Sequence, residues 1–283
     1  MPLYCTEFIF DNISSKEYDL MICSFDGGQN GEATAGNQIE FTTFKAPGSN
    51  KWLKTSTTYQ EQLSFTFQLC KNPYVSREPF SERELAFFMR WLVRKDFRDL
   101  QFVQQGYEPI HYHCQLNAER YLIGGECYGL TLTAVCDAPY GWSDEITCHI
   151  SSSSAATYKL YDSSDELGVI YPDVEIVSKA DNQDITISNE MTGTQTIIQN
   201  CKKGEQILLS EDKIASSSEC IPTEHTSPEQ DGGYSGSHST FFNDFNWEWF
   251  AIGNTWNNRV NEITVTGNCD VQLSWRAPRK AVV

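Results

Sequence analysis

Short stretches in which apolar and polar side chains alternate recur along most of the chain, and they constrain its fold more than any other feature. Residues 63–69 read LSFTFQL, and the same period of two recurs at 130–133, 174–176, 185–187, 263–265 and 271–275. Alternation places successive side chains on opposite faces of a strand, so each stretch predicts a half-buried β-strand. Turn residues separate most of these stretches, which favours β-sandwiches over βαβ units.

One helix is predicted, at 81–95. Ser81 followed by Glu84 forms a capping box. Arg94 and Lys95 come near the end, where the helix dipole favours cations. The apolar residues recur at helical spacing on one face, which predicts packing against a sheet: Leu85, Phe88, Met89 and Leu92.

A polar, low-complexity stretch at 151–154 follows the sequence PYGW at 139–142 and indicates a division of the chain. We therefore expect an N-terminal domain over 1–142 and an all-β C-terminal domain over 143–283. The first carries 12 basic and 17 acidic residues, the second 9 and 21. Residues 216–240, rich in Ser, Gly, Glu and Pro, predict an exposed loop.

The net charge of −17 disfavours binding to nucleic acid or to anionic membranes, because an acidic surface repels phosphate. No apolar run reaches the roughly 18 residues that a membrane-spanning helix needs, and the N-terminus lacks the features of a signal peptide. We expect synthesis and assembly in the cytoplasm.

The ten cysteines contain no CxxC pair and are expected to be reduced, mostly as small core residues.

Residues 111–114 (HYHC) form the best candidate metal site, because imidazole and thiolate suit zinc. A structural zinc site needs four ligands, and no second pair lies at ligand spacing, so ordinary strand histidines are the favoured interpretation. Sequence motifs for a catalytic nucleophile or for phosphate binding are absent. The chain is therefore predicted to be no enzyme and to hold no cofactor or metal.

The aromatic cluster at 241–250 allows two interpretations. Phe245, Trp247 and Trp249 alternate as they would on one face of a strand. Trp247 and Trp249 are therefore candidates for an aromatic platform that binds sugar rings or a partner protein. The favoured alternative is core packing of a sandwich, where large aromatic side chains fill the inner face.

Residues 26–61 suggest a projecting arm. Residues 41–60 contain three lysines and no acid, which is unusual in so acidic a chain. One interpretation is a solvent-exposed hairpin. We favour a contact with a second copy of the chain, because exposing large apolar side chains costs about 1.5–3 kcal/mol each relative to burial. The candidate subunit-interface residues are Phe44, Lys45, Lys51, Trp52, Leu53 and Lys54.

In the order of its motifs the chain resembles the distal tail proteins of long-tailed bacteriophages with non-contractile tails. Residues 18–25 come first, and the capped helix follows and leads into 99–102. The segment at 128–143 is similar to the junction between the family's domains. The remaining similar segments lie at 171–176, 204–209, 261–267 and 275–280.

The resemblance implies a mainly β fold. Its N-terminal, β-sandwich-like domain carries one helix and an extended hairpin arm and joins six copies into a ring, and its C-terminal domain is a galectin-like β-sandwich. Such a ring is a structural hub at the virion tail tip. It joins the major tail tube protein and the tape measure protein to a tail-associated lysin or receptor-binding protein. DNA is expected only in transit through the lumen, past an acidic wall. The alternative function is a carbohydrate-binding module for host surface glycans.

Overall fold

In a computed structural model of the chain, the described residues are 5–25, 39–59, 62–104, 106, 108–210, 214–216 and 241–280. The chain forms two compact units. The first runs to Asp144 and also takes in the segment from Pro278 onward, and the second covers Glu145–Ala277. Two elements cross this division, a strand at Gly141–Ser152 and the last strand at Cys269–Arg279. The predicted loop at 216–240 lies, apart from Ser216, outside the described residues.

The first unit contains nine complete strands among its described residues: β1 (Glu7–Phe10), β2 (Ile13–Ser14), β3 (Leu20–Cys23), β4 (Ile39–Phe44), β5 (Leu53–Tyr59), β6 (Ser64–Lys71), β7 (Arg98–Val103), β8 (His111–Ile123) and β9 (Glu126–Cys136). Their antiparallel order is β2-β1-β7-β8-β9-β6-β3, with β4 and β5 apart as a two-stranded sheet. The first part of β8 pairs with β7 and the later part with β9. The two ends of this sheet therefore face each other across one core, as in a sandwich.

Aromatic side chains fill the core of the first unit. Phe8 on β1 meets Phe67 on β6 edge-to-face, with ring centroids 5.6 Å apart. Trp91 stacks on Phe8 at 5.9 Å, and its indole nitrogen donates a hydrogen bond to the Phe10 carbonyl at 3.3 Å. Edge-to-face and offset pairs add about 0.5–1.5 kcal/mol each beyond their area. Trp91 thus fixes the helix that carries it against β1.

That helix, α1, spans Glu82–Leu92. The predicted capping box is confirmed, because Ser81 and Glu84 bond reciprocally. The predicted end at 95 is wrong: Val93 is already extended, so Arg94 and Lys95 lie outside the helix. The Arg94 side chain instead donates to the Trp91 carbonyl at 3.1 Å and satisfies a backbone acceptor at the helix end.

The second unit is a sandwich of two sheets, supplemented by a short strand pair. Its further strands are β10 (Gly141–Ser152, shared with the first unit), β11 (Ala155–Tyr161), β12 (Gly168–Ile170), β13 (Asp173–Ser178), β14 (Gln183–Asn189), β15 (Thr194–Cys201), β16 (Gln206–Leu209), β17 (Ile214–Ser216), β18 (Ile252–Asn254), β19 (Val260–Thr266) and β20 (Cys269–Arg279). One sheet has the order β17-β16-β13-β20-β10, and the other has the order β11-β19-β14-β15. All the alternating stretches read from the sequence fall on strands, so the mainly β fold class is confirmed.

Buried amides organise one end of this second sandwich. Asn261, fully buried, accepts hydrogen bonds from Asn189 Nδ2 at 2.8 Å and from the Gly253 N–H at 2.8 Å. Its own amide donates to the Gly253 carbonyl at 3.0 Å. Because each buried polar atom here has a partner, the network fixes β18 against β14 and β19. The second half is not entirely strand, since a one-turn helix, α2, spans Phe241–Asp244.

The nine described cysteines are free thiols. Seven are buried, and Cys23 and Cys70 are partly exposed. Within the described ranges, the helices lack the combined length and apolar character that crossing a bilayer requires.

Candidate functional site

A two-stranded antiparallel ribbon, β4 and β5, forms the described part of the predicted arm; residues 26–38 and 60–61 lie outside the described residues. The register pairs Phe41 with Thr57 and Phe44 with Leu53. A register shift between Thr42 and Thr43 gives β5 one extra residue, which is a β-bulge. The ribbon is therefore a distinct projection with its own twist.

The turn at the tip of this arm is specified locally. The Ser49 N–H donates to the Ala46 carbonyl at 3.0 Å, which closes a four-residue turn. Pro47 occupies the second position, and Gly48 has a φ of +83° at the third. A positive φ at the third position, after proline, is typical of a type II turn and favours glycine there.

Large apolar side chains on the arm are exposed to solvent. The exposed fractions are 61% for Phe41, 55% for Phe44, 65% for Trp52 and 56% for Leu53. Phe44 and Leu53 are a direct cross-strand pair, whereas Phe41, three residues earlier on β4, lies on the opposite face. The arm thus presents apolar surface on both faces, which is characteristic of interaction sites.

The three lysines give the arm a positive charge. Lys45 Nζ lies over the Trp52 ring, 5.9 Å from its centroid. Lys54 stands opposite Thr43 in the register. Within the described residues, Lys45, Lys51 and Lys54 make no salt bridge with a carboxylate. The structure therefore brings the six predicted interface residues onto one short projection, together with Phe41, which sequence reasoning did not select.

Contacts between aromatic rings attach both ends of the arm to the rest of the first unit. At one end, the Tyr59 ring meets Tyr140 edge-to-face at 6.3 Å, and Lys280 Nζ lies 6.0 Å from the Tyr59 centroid. At the other, Phe25 stacks on Tyr121 with ring centroids 4.1 Å apart. These anchors join positions distant in the sequence, so no local pattern indicates them.

A strand glycine makes room for one of these anchors. The Phe25 ring lies directly over Gly129 of β9, so close that a Cβ at Gly129 would collide with it. The Phe25 N–H also donates to Gln68 Oε1 at 2.9 Å. The chain leaving β3 toward the arm is therefore held by a ring stack, a hydrogen bond and the absence of a side chain at Gly129.

The predicted aromatic strand at 245–249 is wrong. Phe245 forms only an isolated bridge with Ile198, and Trp247 has a φ of +58°, which is a turn conformation. The side chain of Asn246 makes hydrogen bonds to the backbone of β15. It accepts from the Ile197 N–H at 2.9 Å and donates to the Gln195 carbonyl at 2.7 Å.

The two candidate sugar-platform residues differ in exposure. The Trp247 side chain is 53% exposed and its ring stacks on Phe242. Trp249 is partly buried against the core of the second unit.

The candidate metal ligands at 111–114 do not converge. His111 and His113 lie on one face of β8, but Cys114 lies on the buried, opposite face. His111 bonds Asp99 at 2.6 Å and Asp144 at 2.7 Å, and His113 bonds Asp137 at 2.5 Å. Both imidazoles are thus engaged by carboxylates. Within the described ranges, no group of three or more His, Cys, Asp or Glu side chains is arranged to hold a metal ion.

Comparison with known proteins covers almost the whole chain. A family model described as a phage tail protein N-terminal domain matches residues 3–138. One described as a phage tail C-terminal domain matches residues 140–229 and 230–275. The fold is similar to that in the crystal structure of SPP1 Dit, a protein described as a paradigm of the hub adsorption apparatus in phages infecting Gram-positive hosts. The TM-score is 0.60 at 11% identity, covering 95% of this chain and 98% of that one. Among curated proteins, no sequence gives a significant match.

Proposed function

The chain belongs to this family of phage tail proteins, and from that premise we propose that it is a structural hub subunit whose copies close into a ring at the tail tip. Its fold, shared with SPP1 Dit, agrees with the resemblance to distal tail proteins read from the sequence. The observation that carries the proposal is the arm, which exposes Phe41, Phe44, Trp52 and Leu53 beside three lysines. No catalytic step is part of this role.

Charge favours contact between the arm and another copy. Residues 41–60 carry three positive charges in a chain whose net charge is −17, so the remainder carries −20. An arm that reaches a neighbour therefore meets a surface of opposite sign, which steers association and disfavours arm-to-arm contact. Each subunit then uses two different surfaces, its arm and the receiving surface, and such heterologous contacts close into a ring when the rotation allows. Six copies is the number that the resemblance implies.

The energy of one such contact is modest. Burying the four large apolar side chains of the arm contributes about 1.5–3 kcal/mol each to the free energy of association, or about 6–12 kcal/mol in all. Association costs about 4–15 kcal/mol in lost translational and rotational freedom. A single contact is therefore marginal, and closure, which gives every subunit two contacts, favours complete rings over short open chains.

The expected neighbours follow from the hub role. We propose that one side of the ring contacts the major tail tube protein and the tape measure protein. The other side contacts a tail-associated lysin or receptor-binding protein. DNA passes through the lumen without being held, because an acidic wall repels the phosphate backbone.

The ring is tested by a paired substitution in the arm. Trp52→Ala with Lys51→Glu removes the most exposed of the four large apolar arm side chains and reverses one charge. Light scattering of the purified protein over a concentration series should show smaller species than the wild-type chain, and negative-stain images should lose their rings. Trp256→Ala is the matched control, since Trp256 is 83% exposed but lies in the second unit. A wild-type chain that stays monomeric at every concentration, or an unchanged mass for the double variant, would contradict the ring.

A second function, binding of host surface glycans, is favoured by one observation, the exposed Trp247 ring. Sugars stack on exposed aromatic faces, and Asn243, Asn246 and Glu248 beside it are exposed polar side chains. Saturable binding on a glycan array that Trp247→Ala abolishes and Trp249→Ala preserves would support it. A glycan array that shows no saturable binding would contradict this second function.

A further inference from the structure

Two cysteines lie side by side where β3 and β6 meet. The register pairs Met21 with Cys70 and Cys23 with Gln68. Directly opposed residues share a face, and so do residues two apart on one strand, so Cys23 and Cys70 are diagonal neighbours on the same face. Side chains that are diagonal neighbours on one face of a sheet lie within reach of each other, which places the two thiols close together.

This pair lies on the outer face of its sheet. Leu20 and Ile22 of β3, like Phe67 and Leu69 of β6, pack in the core of the first unit, and the cysteines alternate with them. Both cysteines are partly exposed, unlike the other described cysteines, which are buried. A small oxidant in solvent can therefore reach them.

Cys23 and Cys70 lie on the two strands that flank the arm. Cys23 ends β3, the last described strand before the arm, and Cys70 lies on β6, the first strand after it. Phe25, two residues after Cys23, is the anchor that stacks on Tyr121 over Gly129, and Gly129 is itself the register partner of Cys70. A covalent bond here would tie together the two strands between which the arm projects.

We propose that Cys23 and Cys70 are an oxidisable pair that forms a disulfide at the base of the arm when the protein meets a hydroperoxide. The Cys70 thiolate attacks one peroxide oxygen, the O–O bond breaks, and Cys70 becomes a sulfenic acid while hydroxide leaves. Cys23 then loses its proton and attacks the Cys70 sulfur; the S–S bond forms, the S–O bond breaks and a second hydroxide leaves. Two thiols and one hydrogen peroxide thus give one disulfide and two waters.

The two thiols are suited to different roles. The hydrogen bond from Cys23 lowers the pKa of Cys70 from its ordinary value. The same contact, with burial, raises the pKa of Cys23. Since the thiolate is the nucleophile, Cys70 is the residue expected to react first and Cys23 the one that resolves the sulfenic acid.

A second pair in the same unit provides an internal control. Cys114 and Cys136 are directly opposed on β8 and β9. The Asp137 N–H bonds the His113 carbonyl at 3.0 Å, which makes 114–136 a non-hydrogen-bonded position, where strands approach most closely. Both residues are fully buried. By register this second pair is the closer of the two, and it differs from the first in being shielded from solvent.

The test uses the reduced, purified full-length chain treated with hydrogen peroxide and quenched by alkylation. Peptide mapping under non-reducing conditions should find a Cys23–Cys70 crosslink, formed at least about tenfold faster than any Cys114–Cys136 crosslink because the buried thiols are shielded. Cys70→Ser and Cys23→Ser should each abolish it, and Cys114→Ser should leave its rate unchanged. After unfolding in urea this preference should disappear.

Any of three results would overturn the proposal: that peroxide leaves both thiols free, that Cys70 is oxidised to sulfinic acid without a crosslink, or that the Cys114–Cys136 crosslink forms as fast as the Cys23–Cys70 crosslink. A second measurement needs no cysteine variant. The oxidised wild-type chain should unfold at a higher temperature than the reduced chain, because the crosslink closes a loop between positions 23 and 70, and reductant should reverse the shift. Since a monomer suffices, the result is independent of ring formation.

Discussion

Replacing Gly129 by alanine is expected to detach the chain that leads from β3 into the arm. A Cβ at this position would lie 2.7 Å from the Leu69 carbonyl oxygen, and two ring atoms of Phe25 would lie nearer still. Real Cβ atoms do not approach so closely, so the Phe25 ring must leave its stack on Tyr121. The carbonyl oxygen belongs to the β6 ladder and has little freedom to move.

The expected cost follows from three contributions. Overpacking of this kind costs about 1–3 kcal/mol. Loss of the 4.1 Å stack between Phe25 and Tyr121 adds about 0.5–1.5 kcal/mol. Alanine loses less backbone entropy on folding than glycine, which returns about 0.5–1 kcal/mol. The net loss in free energy of unfolding is therefore about 0.5–4 kcal/mol, confined to the first unit.

Hydrogen–deuterium exchange of peptides from β6, β8 and β9 measures this loss, with peptides from β14 and β19 as the unaffected reference. A double-mutant cycle isolates the cause. In a Phe25→Ala background the ring obstacle is gone, so Gly129→Ala should cost about 1 kcal/mol less than in the wild-type chain. Equal costs in the two backgrounds, or a neutral Gly129→Ala, would refute the steric explanation.

Two further predictions concern polar groups. Burial opposes ionisation of Glu84, but hydrogen bonds from Lys71 and Ser81 outweigh it and lower the pKa of Glu84 to about 2 from 4.5. A lowered pKa stabilises the fold above the unfolded value, so Glu84→Gln should cost about 0.5–1 kcal/mol at neutral pH after allowing for solvent screening. That difference should vanish as the pH falls from 4.5 toward 2 in pH-dependent thermal unfolding, and a difference independent of pH would contradict it. Asn261→Ala leaves the Asn189 amide and both backbone groups of Gly253 without their partner and should cost about 2–4 kcal/mol, measured by exchange in β18 and β19. Asn261→Ala with unchanged exchange there would show that the network is dispensable.

The elements that the sequence predicts well are those fixed by local periodicity. The alternation at 63–69 and 271–275 specifies both a strand and its buried face, and the spacing of Ser81 and Glu84 specifies where α1 begins. The end of α1 was less predictable, because Val93 leaves the helix without a glycine or proline to mark the position.

Contacts between distant positions are what the sequence does not reveal. The alternation of Phe245, Trp247 and Trp249 matches a strand, yet backbone pairing stops at Asn246, whose side chain makes further hydrogen bonds, and the chain turns at Trp247. Likewise, Phe25 and Gly129 are each unremarkable locally, and only the pairing of β6 with β9 brings them together. The six candidate residues on the arm were predicted from exposure and charge, whereas its anchors depend on the folded topology.

The bulge in the arm has a consequence for the free subunit. Among the described residues β4 and β5 pair only with each other, which leaves two edges open, and flat open edges recruit further strands into fibres. The irregular register at Thr42–Thr43 coils the ribbon, and the lysines at 45, 51 and 54 make copies of the arm repel one another. If the arm docks on a second copy as proposed, these two features allow its apolar side chains to stay uncovered in the free subunit without pairing edge to edge.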